Sequence, residues 1–183
     1  YTQDESYYIL DCKEDGGVYL GLKEGINSEE MINDLKKAQR GEGSFKADQY
    51  VNFFKAKKHD HYLIPAGTVH CSSSNCMVLE VSATPYIFTF KLWDWDRLGL
   101  DGLPRPIHIE DGAKNIQWNR TTSWVKDNLV NQFETIHDGK DYLEEKTGLH
   151  ELEFIETRRF KTKEKVHHDC SDGVNMLNLI EGS

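Results

Sequence analysis

The sequence predicts a mainly β protein, a small barrel or sandwich with one main domain, and three observations support this prediction. Short runs rich in aromatic and β-branched residues recur along the chain. Turn-forming residues separate the runs, so that each has the length of a strand. Only one segment of the first half carries a strong helical pattern, and 183 residues are enough to bury one sizeable core.

The first two predicted elements are strands. Residues 6–12 and 17–23 are rich in tyrosine, valine, isoleucine and leucine, and an acidic turn at residues 13–16 separates them. Because two such runs joined by a short turn usually pair with each other, they predict a β-hairpin.

A helix is predicted after these two strands. Asn27 or Ser28 can cap it, and two glutamates in its first turn favour a helix start. Its apolar face has helical spacing and consists of Met31, Ile32 and Leu35. A polar loop ends the helix, and residues 50–54 predict the next strand.

The central stretch of the chain, residues 58–80, predicts a second hairpin with a ligand at its mouth. Two apolar runs, residues 62–64 and 77–81, flank the tight segment at residues 65–68, which contains proline and glycine. Proline fixes one backbone angle and glycine permits a left-handed turn. The position of His70, just after this turn, is therefore expected to be set by the scaffold.

The rest of the chain predicts further strands and one more helix. Residues 86–93 alternate as a strand, and a loop with two glycines and two prolines follows at residues 98–106. Residues 123–136 carry an apolar stripe at helical spacing. Two strand-like runs, residues 149–160 and 174–180, come last.

The charge and hydropathy of the chain argue against two classes of partner. The formal net charge is −9, the isoelectric point is about 5.3, and the cations are dispersed, whereas nucleic-acid binding rests on clustered cations. No apolar run approaches the ~20 residues that cross a bilayer, and the first residues lack a signal-peptide pattern. We therefore predict a cytoplasmic protein with no nucleic-acid or membrane partner; the sequence does not predict its oligomeric state.

The four cysteines show neither the density of a disulfide framework nor a Cys-x-x-Cys pair. Cys71 and Cys76 could approach each other across the mouth of the hairpin. Reduced thiols are nevertheless the expectation for a cytoplasmic protein, and we predict that all four cysteines are reduced.

Three histidines of the central stretch are candidate metal ligands. Neutral imidazole together with a carboxylate suits a divalent first-row ion such as zinc. His70 is the best candidate, and the alternative is a histidine that is simply packed or hydrogen-bonded. His59 and His61 precede the strand, and we predict that both are surface residues.

Five motifs keep a fixed order within the first 110 residues: ESYYILD (5–11), IPAGTVH (64–70), VLEV (78–81), FKLWDWDR (90–97) and GLPRPIH (102–108). Together they resemble type I mannose-6-phosphate isomerases of the bacterial cupin kind. The resemblance covers residues 5–110 and is weaker from residue 111 onward.

The resemblance implies a cupin-type double-stranded β-helix, a jelly-roll barrel with one or two helical insertions. We expect the barrel core at residues 1–110 and a helical connection at residues 111–146. Residues 147–183 are expected to pack on the barrel as a β segment or to start a second cupin-like half. The chain starts at a strand-like run and stops on a turn signal, so we expect it to be truncated at both ends.

The resemblance also implies a metal site. In this family the histidine that ends the Pro-Ala-Gly-Thr-x-His motif is a metal ligand, and His70 occupies that position. The glutamate before the Tyr-Ile-Leu-Asp strand is another ligand, which corresponds to Glu5. Family members carry a further histidine in an upstream Gln-x-His-Pro motif, which has no match in this chain, so the motif either lies before residue 1 or has been lost. The implied cofactor is a divalent metal, with zinc as the first expectation.

Lys91 departs from the family pattern. The family places a catalytic arginine in a Tyr-Arg-x-Tyr-Asp strand, and the corresponding residue here is Lys91. Lysine is a compact charge without the planar fork of arginine. The resemblance implies that Lys91 is catalytic and binds substrate, with Arg97 as a second substrate-binding residue. The alternatives are a surface role for Lys91 and, for Arg97 and Arg105, pairing with aspartates that fixes the long loop.

The implied activity is that of a metal-dependent aldose–ketose isomerase, which interconverts mannose 6-phosphate and fructose 6-phosphate in carbohydrate metabolism. Such an enzyme moves a proton between adjacent carbons and stabilises the charge that develops on the sugar oxygens. One alternative is a non-catalytic sugar-binding or regulatory cupin that has lost the full active site. Another is a metal-dependent cupin of a different class, such as a dioxygenase or an epimerase.

Overall fold

The computed structural model describes residues 3–83, 89–147, 155–171 and 173–182, and it confirms the mainly β fold. The strands and helices lie in the order β1 (Glu5–Cys12), β2 (Gly17–Leu22), α1 (Ser28–Gln39), α2 (Ala47–Tyr50), β3 (Val51–Lys55), β4 (His61–Ile64), β5 (His70–Ser72), β6 (Cys76–Ser82), α3 (Ile109–Asn115), α4 (Thr122–Asn128), β7 (Glu134–Asp138), β8 (Tyr142–Lys146) and β9 (Arg158–Thr162).

Two three-stranded antiparallel sheets build the barrel. One has the order β4-β1-β6 and the other the order β3-β2-β5. The chain crosses between the sheets after β1, β3, β4 and β5, so that strands close in sequence lie on opposite walls. This alternation brings side chains from distant motifs into one interior.

The prediction of a hairpin at residues 6–23 is wrong, although both strands exist. β1 pairs with β4 and β6, whereas β2 pairs with β3 and β5. Ile9 on β1 and Val18 and Leu20 on β2 are each fully buried in the same core cluster. Because both strands bury an apolar face, placing them on opposite walls buries more apolar surface than pairing them edge to edge.

The second predicted hairpin is also wrong in its pairing. β4 and β6 do not pair with each other but flank β1 on its two sides. The tight turn after β4 instead carries the chain across to the other sheet, where His70 begins β5 opposite Leu20 of β2. His70 therefore faces the strand that carries Glu5 from across the barrel.

The helix predicted at Asn27 is confirmed as α1. The Asn27 side chain accepts hydrogen bonds from the backbone N–H groups of Glu29 and Glu30, as an N-cap does. Met31 and Leu35 are buried in the second core cluster, and Ile32 packs against its side. The apolar face of the helix thus shares a cluster with Leu22 of β2 and Val51 of β3.

The helix predicted at residues 123–136 is shorter than expected. α4 ends at Asn128, because the Leu129 carbonyl accepts a hydrogen bond from the Leu63 N–H of β4. Asn131 then adopts a left-handed conformation with φ 53°. The chain continues into β7, and β7, β8 and β9 form a third antiparallel sheet in that order.

Two other predicted strands are not found where the structure describes them. Residues 89–93 contain no strand, and Phe90 and Leu92 lie beside Gly112 of α3; residues 86–88 lie outside the described residues. Residues 174–180 are extended and largely exposed without joining a sheet. Of the run predicted at residues 149–160, the described part is irregular at residues 155–157 and enters β9 at Arg158. The division of the chain into domains stays a prediction.

The prediction of four reduced cysteines is wrong, because Cys12 and Cys76 form a disulfide. The two residues lie directly opposite each other on β1 and β6, with their Cα atoms 4.3 Å apart. Cys71 and Cys170 are free. Among the described residues, no helix is both long enough and apolar enough to span a bilayer.

Candidate active site

Glu5 and His70 meet inside the barrel from opposite sheets. The Glu5 Oε1 atom lies 2.5 Å from the His70 Nε2 atom. Glu5 is 5% exposed, and the ring of Tyr7 approaches the imidazole edge on at 5.7 Å. Two residues that are 65 positions apart in sequence thus place a carboxylate and an imidazole nitrogen at one point.

One backbone carbonyl fixes the orientation of the His70 ring. The Nδ1–H group donates to the carbonyl of Thr68 at 2.8 Å, which leaves Nε2 as the atom that faces Glu5. A hydrogen bond of this kind from the remote ring nitrogen is the usual support of a metal-binding histidine, since it selects the tautomer.

Hydrogen bonds from Arg120 fix the turn that precedes His70. Arg120 donates to the carbonyls of Pro65 and Ala66 at 2.8 and 2.7 Å and to the Thr68 hydroxyl at 2.6 Å. Gly67 has φ 82°, and a Cβ there would lie 2.5 Å from the Asn115 carbonyl. The sequence analysis predicted the turn but not Arg120, which comes from a later part of the chain.

Glu80 is a third ionisable group at the site, and the sequence analysis did not assign it a role. It lies opposite Tyr7 on β6 and forms a hydrogen bond with Glu5, which also accepts one from Gln3 at 2.8 Å. Glu80 belongs to the VLEV motif, but its approach to Glu5 depends on the pairing of β1 with β6, which local sequence patterns do not predict.

The pKa values of Glu5 and Glu80 are shifted in opposite directions. Burial raises the pKa of Glu5, but the hydrogen bond and charge of His70 outweigh it, so that the pKa lies below its usual value. Loss of hydration and the charge of Glu5 raise the pKa of Glu80. Burial lowers the pKa of His70, but the hydrogen bond and charge of Glu5 reverse this and raise it. Glu80 is therefore the carboxyl that holds a proton most readily.

Lys91 and Arg97 line the same cavity as Glu5 and His70, which has a volume of about 600 Å³. Both cations pair with Asp94, at 3.6 Å from Lys91 and 3.7 Å from Arg97. Asp94 is 8% exposed and also accepts a hydrogen bond from Arg105 at 3.3 Å. The alternative predicted for the arginines, pairing that fixes the loop, is thus seen for both.

The donor atoms of Glu5 and His70 fit part of a metal site. Carboxylate oxygen and imidazole nitrogen are zinc ligands, and the bond from Nδ1 to Thr68 leaves Nε2 as the nitrogen that would ligate after losing the proton it shares with Glu5. Within the described ranges, no group of three or more histidine, cysteine or acidic side chains converges as a complete ligand set. A catalytic zinc usually has three protein ligands, so this pair would supply two of them.

His59 and His61 differ from each other in burial. His59 is partly exposed, adopts a left-handed conformation with φ 74°, and bonds to the Tyr8 hydroxyl and to Glu181, both at 2.9 Å. His61, in contrast, is 1% exposed, so its prediction as a surface residue is wrong. It is the first residue of β4, and its side chain packs against Phe133.

An antiparallel barrel with an imidazole and a carboxylate converging inside it defines the class of the protein as a cupin-like barrel. Its sequence is 28% identical over 113 residues to the mannose-6-phosphate isomerase ManA of Bacillus subtilis. That match covers 62% of this chain and 33% of ManA. A putative mannose-6-phosphate isomerase of the same organism, YvyI, is 31% identical over 107 residues, which are 57% of this chain and 30% of YvyI.

Solved structures show the same similarity. The crystal structure of mannose 6-phosphate isomerase from Bacillus subtilis matches with a TM-score of 0.60 and 22% identity, over 79% of this chain and 41% of that protein. A putative mannosephosphate isomerase from Archaeoglobus fulgidus matches with a TM-score of 0.52 and 17% identity, over 79% and 39%. No family model matches the sequence. The resemblance to type I mannose-6-phosphate isomerases is confirmed, and the chain spans about a third of the length of the curated relatives it matches.

Proposed function

We propose that this chain carries the barrel of a sugar-phosphate isomerase that interconverts mannose 6-phosphate and fructose 6-phosphate in cytoplasmic carbohydrate metabolism. The observation that carries the proposal is the Glu5–His70 pair, since the two family ligand positions meet at 2.5 Å although they come from opposite sheets. The sequence similarity to mannose-6-phosphate isomerases supports the same reaction.

Glu5 and His70 are proposed to hold a divalent metal, with zinc as the ion that their donor atoms suit. When bound, such an ion supplies positive charge next to the sugar oxygens on which negative charge develops during isomerisation. The hydrogen bond from His70 to Thr68 keeps the imidazole nitrogen directed at that position.

Glu80 is proposed to move the proton. Aldose–ketose isomerisation needs a group that takes a proton from one carbon and returns it to the next, and the best group for this has a pKa near the working pH. Glu80 forms a hydrogen bond with Glu5 beside the proposed metal site, and its raised pKa moves it towards that range, whereas the lowered pKa of Glu5 favours the ionised carboxylate.

Lys91 and Arg97 are proposed to bind the phosphate group. Both side chains lie in the cavity wall, about half of each is exposed, and they share the single buried charge of Asp94 with Arg105. Three cations around one carboxylate leave a net positive charge, which an incoming phosphate would balance.

The proposal is tested by assaying isomerisation of mannose 6-phosphate by the enzyme that contains this chain. Glu80→Gln should lower kcat by about 100-fold or more, since a positioned acid–base group contributes a factor of this size. Lys91→Met should raise KM, and Lys91→Arg should keep activity. Glu134→Gln, an exposed acid on β7, is the matched control for Glu80→Gln and should behave as wild type.

A wild-type enzyme that binds mannose 6-phosphate without isomerising it would contradict the proposal. That result would favour the non-catalytic sugar-binding cupin instead. Equal kcat in wild type and Glu80→Gln would remove Glu80 from the reaction while leaving the isomerase assignment in place.

A further inference from the structure

A set of aromatic rings, here called the aromatic wall, lines the cavity together with the candidate site. It consists of Tyr19, Trp93 and Trp95, which all border the cavity that also holds Glu5 and His70. The ring centroids of Trp93 and Trp95 are 4.5 Å apart, and those of Tyr19 and Trp95 are 6.1 Å apart. The mechanism proposed above uses none of these three residues.

Trp95 is held in a conformation that a tryptophan rarely adopts. Its φ is 55° and that of Asp96 is 54°, so two consecutive side-chain-bearing residues are left-handed. Such backbone strain costs about 1–3 kcal/mol per residue and clusters at ligand clamps. Trp95 is nevertheless 41% exposed, so the strain is not explained by burial of the indole in the core.

The neighbours of Trp95 are fixed in place by hydrogen bonds. The Trp93 indole N–H donates to Asp96 at 2.7 Å, and the Ser44 hydroxyl donates to the same carboxylate. The Tyr19 hydroxyl donates to Asp48 at 3.1 Å, and burial together with this bond raises the pKa of Tyr19 to about 12. The aromatic wall is therefore a preorganised surface and not a mobile loop.

The charges of the cavity differ between its parts. In one part, Lys91 and Arg97 form ion pairs with Asp94. At the aromatic wall, the carboxylates of Asp48 and Asp96 accept hydrogen bonds from the rings. Carboxylates repel a second phosphate but accept hydrogen bonds from hydroxyl groups. Aromatic faces with acidic neighbours therefore suit a neutral, hydroxylated ring with an apolar face, which is the chemistry of a pyranose.

The cavity is also large enough for more than one small ring. Its volume of about 600 Å³ is twice the ~300 Å³ at the lower end of ligand pockets. The Glu5–His70 pair and the aromatic wall border this one volume, so that a ligand can reach both.

We propose that the aromatic wall is a second sugar subsite, which stacks a neutral hexose ring linked to the ring bound at Glu5 and His70. Trp95 provides the main stacking face. This inference rests on the proposed function for the identity of the first ring, and it extends the ligand class of the cavity from hexose phosphates to short saccharides of mannose type.

Binding of two probes, mannose and β-1,4-mannobiose, tests the proposal by titration calorimetry on the whole chain. The measured quantity is the ratio of the two Kd values in wild type, Trp95→Asn and Trp124→Asn. Asparagine tolerates the left-handed backbone at position 95, so the variant keeps its loop. Trp124 is 37% exposed on α4 and is the matched control for loss of an exposed indole.

We expect wild type and Trp124→Asn to bind mannobiose about fivefold more tightly than mannose, and Trp95→Asn to bind both equally. No preference for mannobiose in wild type, or the same preference in Trp95→Asn, would overturn the proposal. The enzyme could also prefer mannobiose in a way that depends on Trp95 and yet fail to isomerise mannose 6-phosphate. That result would refute the proposed function but support the subsite.

Discussion

His61 should make the protein less stable in acid, and His61→Phe should remove that effect. Neither ring nitrogen of His61 has a hydrogen-bond partner among the described residues, and the ring is fully buried at the start of β4. Burial, and to a lesser degree the charge of Arg159, lowers the pKa of His61 to about 4. Phenylalanine has a similar shape and no nitrogen, so it can fill the same space without a titrating group.

Within the described part of the chain, no carboxylate would compensate a charge on the His61 ring. The rings of Tyr8 on β1 and Phe133 lie 6.3 and 5.9 Å from it, and Arg159 of β9 stacks on Phe133 at 3.6 Å. The buried Asp60 is already bound to Asn131 and to a backbone N–H group.

The size of the effect follows from the two pKa values. An unfolded histidine titrates near 6.5, so between pH 6.5 and about 4 the unfolded chain binds a proton that the native protein does not. The free energy of unfolding therefore falls as the pH is lowered through this window, by about 3 kcal/mol in total, and the loss is complete below the native pKa of about 4.

Urea unfolding followed at several pH values from 4 to 7.5 measures this contribution. The difference in free energy between His61→Phe and wild type should grow by about 3 kcal/mol from pH 7.5 to 4 in favour of the variant. His167→Phe, which replaces an exposed histidine, should show no such growth. Parallel pH profiles for wild type and His61→Phe would refute the reasoning.

Two further predictions concern the scaffold of the site. Cys12→Ser should lower the free energy of unfolding by about 4 kcal/mol under oxidising conditions, because the disulfide closes a loop with a sequence separation of 64. Cys170→Ser, which removes a free exposed thiol, is the control. Equal urea midpoints for the two variants would contradict the prediction. Gly67→Ala should lower the free energy of unfolding by more than about 1 kcal/mol, because its Cβ would meet the Asn115 carbonyl at a left-handed φ. Gly25→Ala is the control, since its φ is 72° but the space around it is open. Equal thermal midpoints for the two variants would show that the contact with Asn115 has no cost.

Local patterns in the sequence predicted most elements but not their partners. The strand runs around Ile9 and Val18 and the Asn27 cap were correct because periodicity and capping depend on near neighbours. The pairing of β1 with β6 joins residues about 70 positions apart, and no short-range rule specifies it. Both hairpins were wrong for this reason, and the Cys12–Cys76 disulfide was missed for the same one.

Only those residues of the candidate site to which a family motif assigns a role were predicted from the sequence. The family resemblance predicted Glu5 and His70 as ligands of one metal, and the structure brings the two side chains together, whereas their role as ligands stays a prediction. Glu80 was missed because its approach to Glu5 depends on strand register. The burial of His61 was missed because Phe133, just before β7, packs against its ring, and Arg159 of β9 lies on Phe133. The roles of Lys91 and Arg97 stay predictions.

The most direct test of the account is the zinc content of the protein after loading and desalting, measured by plasma mass spectrometry. In the enzyme that contains this chain, wild type should retain zinc, and Glu5→Gln and His70→Ala should retain far less, because each variant loses one of the donor atoms proposed to bind the ion. His167→Ala should match wild type. Equal zinc in wild type and His70→Ala would contradict the central claim that Glu5 and His70 form the metal-binding part of the site.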